Sequence, residues 1–228
     1  MKPDCLTFRL FFLLGACLLL GGQARAQETT TGRMPDDVFY LMPSFGEGMV
    51  YIKGQRPAQG KMNICAVDNT LRFLDKDGTE LSAGRNDDII MVTIDGVTFL
   101  HDNGSFYRRY PVTADMGVAL KRNVTVMTDV KEGAYGTKSH TSSITEISNL
   151  YADGINYELN KAKEYPYTVS EIFFLYQGNE VMILNKRNLR KFFPQKKAEI
   201  DAWFKAGNKL PDSLDDTLAL LAGWATQE

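Results

Sequence analysis

Between residues 38 and 184 the apolar positions come in short runs rich in β-branched and aromatic side chains, separated by turn residues. That rhythm belongs to strands rather than to a long amphipathic helix. It predicts strands over residues 71–74, 89–94, 97–100, 106–110, 172–176 and 181–184. Asp77-Gly78, Asp95-Gly96, Asn103-Gly104 and Gln177-Gly178-Asn179 supply the turn signals. Asp-Gly and Asn-Gly tolerate the left-handed backbone of a tight hairpin, so the pairing is expected to be antiparallel. Phe73-Leu74 and Phe99-Leu100 are each followed by such a tip, a weak internal repeat that a strand with an inward aromatic and a polar tip explains without a solenoid.

After Leu184 the period lengthens. Asn185 is placed to cap a helix whose Leu189, Phe192 and Phe193 fall on one face, and Pro194 interrupts it. A second helix carries Ile200, Trp203 and Phe204 and closes at Gly207; Ser213 with Asp216 opens a third with Leu214, Leu218, Leu221 and Ala225 at helical spacing. The expected fold is therefore α+β. An antiparallel β-rich domain over 38–184, built of hairpins as a sandwich or barrel-like sheet, precedes a helical unit over 185–228 packed on it, since helices this short are marginal alone.

The start of the chain follows a different pattern. Lys2 and Arg9 precede an apolar run over residues 10–20, and Ala24-Arg25-Ala26 has the small-x-small form that a signal peptidase reads. Residues 1–26 are thus expected to be a signal peptide cleaved before Gln27, the run being shorter than the ~20 residues of a spanning helix. Leu14-Gly15-Ala16-Cys17 offers a rival reading as a lipoprotein signal, but the apolar run continues past Cys17. Residues 27–37, with three threonines and little to bury, read as a flexible leader. Cys5 and Cys17 leave with the signal, so Cys65 remains alone without an intramolecular partner. Its apolar surroundings, Ile64 and Ala66-Val67, mark it as a small buried hydrophobe.

Charge narrows the function. Removal of Lys2, Arg9, Arg25 and Asp4 shifts the net charge from −2 to −4, which argues against general nucleic-acid binding. Residues 75–80 lack the ligand spacing of a calcium loop, and Gly133 to Ser139 lacks the spacing of a phosphate-cradling loop. His101 and His140 have no second histidine or cysteine at zinc-ligand spacing, and exposed polar roles suffice for both. No metal or cofactor is expected. A Cys65–His101 or Cys65–His140 nucleophilic pair lacks any local signature, and Phe106, Tyr107 and Tyr110 read as core or cross-strand residues before ligand platforms.

Two places carry candidate sites. The polar stretch 131–143 is a long loop holding Tyr135, Lys138 and His140. The run Lys186, Arg187, Arg190, Lys191, Lys196 and Lys197 contains six cations with no acid among them; on a helix they fall largely off the apolar face, as a solvated surface or a patch for an anionic partner.

The tail Tyr176 to Leu184 running into Asn185-Lys186-Arg187-Asn188-Leu189-Arg190-Lys191-Phe192-Phe193-Pro194, together with Phe39 to Gly46 and Gly133-Ala134-Tyr135-Gly136, resembles uncharacterised exported proteins of Gram-negative anaerobes. The resemblance implies a periplasmic, secreted or cell-surface location and brings no activity, substrate or catalytic residue. The function expected is that of an exported non-enzymatic binding or structural protein of the envelope. Its partner would be an envelope protein, a glycan or a membrane surface. The alternative is a hydrolase with its site around the 131–143 loop.

Overall fold

The computed structural model describes residues 30–83, 86–126, 131–132, 138–139 and 164–225. In chain order the first strands and helix are β1 (Thr30–Arg33), α1 (Asp36–Phe39), β2 (Gly46–Ile52), β3 (Ala58–Ile64), β4 (Leu71–Leu74) and β5 (Glu80–Ser82). Then come β6 (Ile89–Ile94), β7 (Val97–Asp102), β8 (Ser105–Pro111) and β9 (Met116–Val126). Two short strands, β10 (Lys131–Glu132) and β11 (Lys138–Ser139), pair only with each other, within the stretch read as a loop. The long β12 (Glu164–Gln177) and β13 (Glu180–Ile183) lead into α2 (Lys186–Phe192), a 3-10 turn (Pro194–Lys196), α3 (Lys197–Lys205) and α4 (Leu214–Ala225).

The turns form as their residues dictate. Asp95 and Gly96 have φ of 46° and 81°, and Asn103 and Gly104 have 47° and 70°, the left-handed pairs whose twist suits a two-residue hairpin. They join β6, β7 and β8 into a meander. The tip between β4 and β5 is tied by the Asp75 carboxylate, which accepts from the backbone N–H of Asp77 (2.9 Å) and Thr79 (2.8 Å). The whole sheet is antiparallel and open, in the order β1-β12-β9-β8-β7-β6-β2-β3-β4-β5, with β13 also pairing β12. Tyr167 and its predecessors pair β1, while Phe174 to Gln177 pair β13, so both short strands lie along the same side of β12.

Two expectations need correction. The leader read over 27–37 contains β1, α1's first residues and the buried Met34. Pairing of β1 with β12 is backbone hydrogen bonding, which asks nothing of an apolar pattern. His101 is not exposed: it is half-buried on β7, packed against Phe106 with ring centroids 4.7 Å apart.

Register places Val50, Val92, Phe99, Tyr110, Val118 and Leu175 on one face of the sheet. At its β9/β12 end that face is covered by helices. Leu189, Phe192, Phe193, Ile200, Leu221 and Trp224 form one cluster with Val118 and Leu175, so helices and sheet share a core. The Asn185 side chain accepts from Asn188 N at 2.8 Å, and Ser213 Oγ accepts from Asp216 N at 3.2 Å, capping α2 and α4. On the opposite face, Val181 of β13 packs with Leu100, Tyr107, Ala119 and Tyr176, and β13 approaches β7 in space. The sheet is thus strongly curled there. The segment after α1 is fastened to β3 by buried Asn63, whose amide donates to the carbonyls of Met42 (2.9 Å) and Ser44 (3.1 Å) and accepts from Met42 N (3.1 Å).

Candidate functional site

The same apolar face that the helices cover at one end runs out, at the other, over β2, β3, β4 and β6. There it lines a cavity of about 450 Å³. Val50, Ile52, Met62, Leu71, Phe73, Leu74 and Ile89 supply the apolar wall; Gln55, Gln59 and Asp88 bring polar groups to it. Its size owes to the small Ala58 and Gly60 of β3, which face Val50 and Gly48 of β2 in register. A Cβ on Gly60 would meet nothing within 4 Å, so the missing side chain is open space. At Gly48 the opposite holds: a Cβ would come within 2.6 Å of Met62 Cγ and of the Thr93 carbonyl. Gly48 lets Met62 lie across β2. Below this hollow, Ile64, Val92, Ile94, Phe99 and Phe106 are fully buried and give it a rigid floor.

Beside the cavity strands lies a buried polar network. The Tyr40 hydroxyl donates to Glu80 Oε2 at 2.7 Å. Arg72 pairs with Asp68, and its Nε donates to Thr70 Oγ1 at 2.8 Å, while Thr70 Oγ1 donates to Asp68 Oδ1 at 2.6 Å. Cys65 is completely buried, and burial, with the negative Asp68 nearby, pushes its thiol up to about 12. Burial and then the hydrogen bond to Glu80 raise the Tyr40 phenol as well. A thiol held protonated is a poor nucleophile. These groups fasten β4 and β5 to the α1 segment.

His101 is committed in a similar way. Its Nδ1 lies 3.0 Å from the carbonyl of Ile89, a contact that requires the proton on Nδ1. Nε2 is then a buried acceptor without a partner among the described residues. Burial lowers the pKa of the ring, so it is held neutral. Phe106 and Tyr107 are buried core residues, and Tyr110 packs at the edge of the helix-covered cluster.

The six cations of the tail divide in two. Lys186 Nζ lies 2.9 Å from Asp201, Arg190 Nε 3.7 Å from the same carboxylate, and Lys196 Nζ 3.5 Å from Glu199. The hydrogen bond from Lys186, aided by the charge of Arg190, holds the Asp201 carboxyl below its ordinary value. Arg187, Lys191 and Lys197 have no ion-pair partner among the described residues. With Arg190 and Pro194 these three line an open depression of about 380 Å³. The Lys196–Glu199 pair is local in sequence, whereas the pairing of Lys186 and Arg190 joins α2 to Asp201 of the following helix.

Of the candidate loop, Tyr135 and His140 lie outside the described residues, and Lys138 is placed on β11 by its backbone. The signal segment 1–26 lies outside them too. Among the described residues no group of three or more His, Cys, Asp or Glu is arranged to hold a metal ion. No family model matches the chain, and no curated protein or solved structure is detectably similar to it. The cavity could not be read from any one strand, because its wall is assembled from four. The alternation of Ala58, Gly60 and Met62 across from Val50, Gly48 and Gly46 was the one local signal pointing to it.

Proposed function

We propose that this is an exported, non-enzymatic binding protein, and that the cavity between β2, β3, β4 and β6 receives a small apolar ligand. The observation that carries the reading is a cavity of about 450 Å³ with an apolar wall and a few polar groups. Cavities of ~300–1,000 Å³ built this way are the usual form of a small-molecule site. The polar Gln55, Gln59 and Asp88 are suited to orient one end of the ligand. Support for a binding role over catalysis comes from the chemistry nearby: burial keeps the Cys65 thiol and the Tyr40 phenol protonated, and His101 Nδ1 is committed to the Ile89 carbonyl. Export rests on the pattern of residues 1–26, and an intact mass starting at Gln27 without lipid is the expected result; acylated Cys17 would contradict it.

The test of the cavity uses N-phenyl-1-naphthylamine, an uncharged probe that fluoresces in apolar surroundings. Wild type is expected to bind it saturably. A Cβ at Gly60 meets nothing within 4 Å, so Gly60→Leu should abolish saturable binding while leaving the melting temperature unchanged or higher. A wild type that does not bind, or a folded Gly60→Leu variant that binds equally well, would contradict the proposal.

A further inference from the structure

We propose that the outer surface running from α2 across Pro194 to the start of α3 is a docking face for a membrane rich in anionic phospholipid. In a chain of net negative charge, Arg187, Lys191 and Lys197 stand exposed and unpaired among the described residues, around one depression that Arg190 and Pro194 complete. Of the cations that have acids to meet, Lys186 and Lys196 do not line it, and Arg190, which does, reaches Asp201 only at 3.7 Å. Compensation therefore leaves one side of the helical unit with its positive charge available.

The form of the surface selects the partner. A single phosphate is held by donors that converge from several sides, often with a helix terminus or a buried charge behind them. Here the charges are exposed and are carried by consecutive helical turns, with Arg187 to Arg190 and Lys191 one turn apart. Recognition of a sugar uses neutral hydrogen-bonding groups and aromatic faces, and the depression is lined by four cations and a proline alone. An array of cations without such groups complements a plane carrying many negative headgroups. Beneath it, Leu189, Phe192 and Phe193 anchor the array to the core, so the face is presented as a rigid unit. This inference does not depend on the cavity or on what it binds.

The experiment is co-sedimentation of the chain lacking residues 1–26 with vesicles of equimolar phosphatidylglycerol and phosphatidylcholine, against vesicles of phosphatidylcholine alone. Binding to the anionic vesicles only, weakened by added salt, is the expected result. Each exposed cation contributes roughly a fivefold factor to such partitioning. The triple variant Arg187→Gln/Lys191→Gln/Lys197→Gln should therefore lose about a hundredfold with an unchanged melt, while Lys186→Gln should lose less than Lys191→Gln. Four results would overturn the proposal: no binding by wild type at low salt, equal binding to neutral vesicles, an unimpaired triple variant, or equal losses in Lys186→Gln and Lys191→Gln. Retention on a sulfated polysaccharide without vesicle binding would assign the surface to a glycan instead and equally overturn it.

Discussion

At the β9/β12 end, the sheet's apolar face lies under α2, α3 and α4, with Phe192, Phe193, Ile200, Leu221 and Trp224 filling the space against Val118 and Leu175. At the β2/β3 end the same face meets a hollow walled by Val50, Ile52, Met62, Leu71 and Phe73. Both ends are apolar and both belong to one continuous ladder. They differ in the size of the side chains offered to the space above them. Large aromatic rings meet one another at the covered end, Phe193 with Trp224 at 5.9 Å and Trp203 with Trp224 at 5.9 Å. At the other, Ala58 and Gly60 leave the space open. An apolar surface is thus spent on stability where large partners fill it, and stays available for a ligand where small residues leave room.

The comparison can be broken by truncating one ring at each end. Phe193→Ala removes a buried ring from a filled core and should destabilise by ~3 kcal/mol or more in a thermal or urea melt. Phe73→Ala acts on a ring that already borders open space. It should cost less than about 2 kcal/mol, since it loses transfer energy without creating a new void. Equal losses would mean that the hollow is packed as tightly as the helix interface.

The network beside the cavity gives an intermediate effect. Tyr40→Phe deletes the hydroxyl bound to Glu80 and should cost about 1 kcal/mol at neutral pH. Its pH dependence has a definite sign. Tyr40 and Cys65 both have raised values in the folded chain, so the folded state binds protons that the unfolded state releases. The Cys65 contribution is complete below the ordinary thiol value of ~8.5 and is lost as pH rises toward about 12, while that of Tyr40 starts to fall only above the ordinary phenol value of ~10. Urea melts from neutral to strongly alkaline pH should show falling stability over that window, with a shallower fall in Cys65→Ala. A fall of the same slope in Cys65→Ala would show that the thiol is not involved. The smallest effect belongs to the surface: Arg190→Glu should change stability by only a few tenths of a kcal/mol, because its pairing with Asp201 is long and exposed.

These contrasts also mark what could be read from the residues alone. Local chemistry was legible: Asp95-Gly96 and Asn103-Gly104 turn the chain with the backbone their residues favour, and Asn185 and Ser213 cap the helices they precede. The stripe of Leu189, Phe192 and Phe193 identified the buried side of α2. In α4 the reading named Ala225 on the apolar stripe and passed over Trp224, whose ring is buried by the neighbouring Phe193 and Trp203. Long-range relations were not legible. Pairing of β1 with β12 joins positions far apart through backbone groups alone. The hollow depends on Ala58 and Gly60 arriving beside β4 and β6, and a glycine in a strand carries no periodic signal by itself. The cationic run was plain in the sequence, whereas the pairing of Lys186 and Arg190 with Asp201 required α3 to be in place beside α2.

The most direct measurement of the central claim is a methyl-resolved NMR titration of the chain lacking residues 1–26 with N-phenyl-1-naphthylamine, since it compares the two ends in one sample. The account predicts saturable shifts in the methyls of Val50, Ile52, Leu71, Leu74 and Ile89, which line the hollow, and unchanged signals from Leu189, Ile200 and Leu221, which lie in the filled core. Shifts confined to the helical cluster, or spread evenly over both ends, would contradict it.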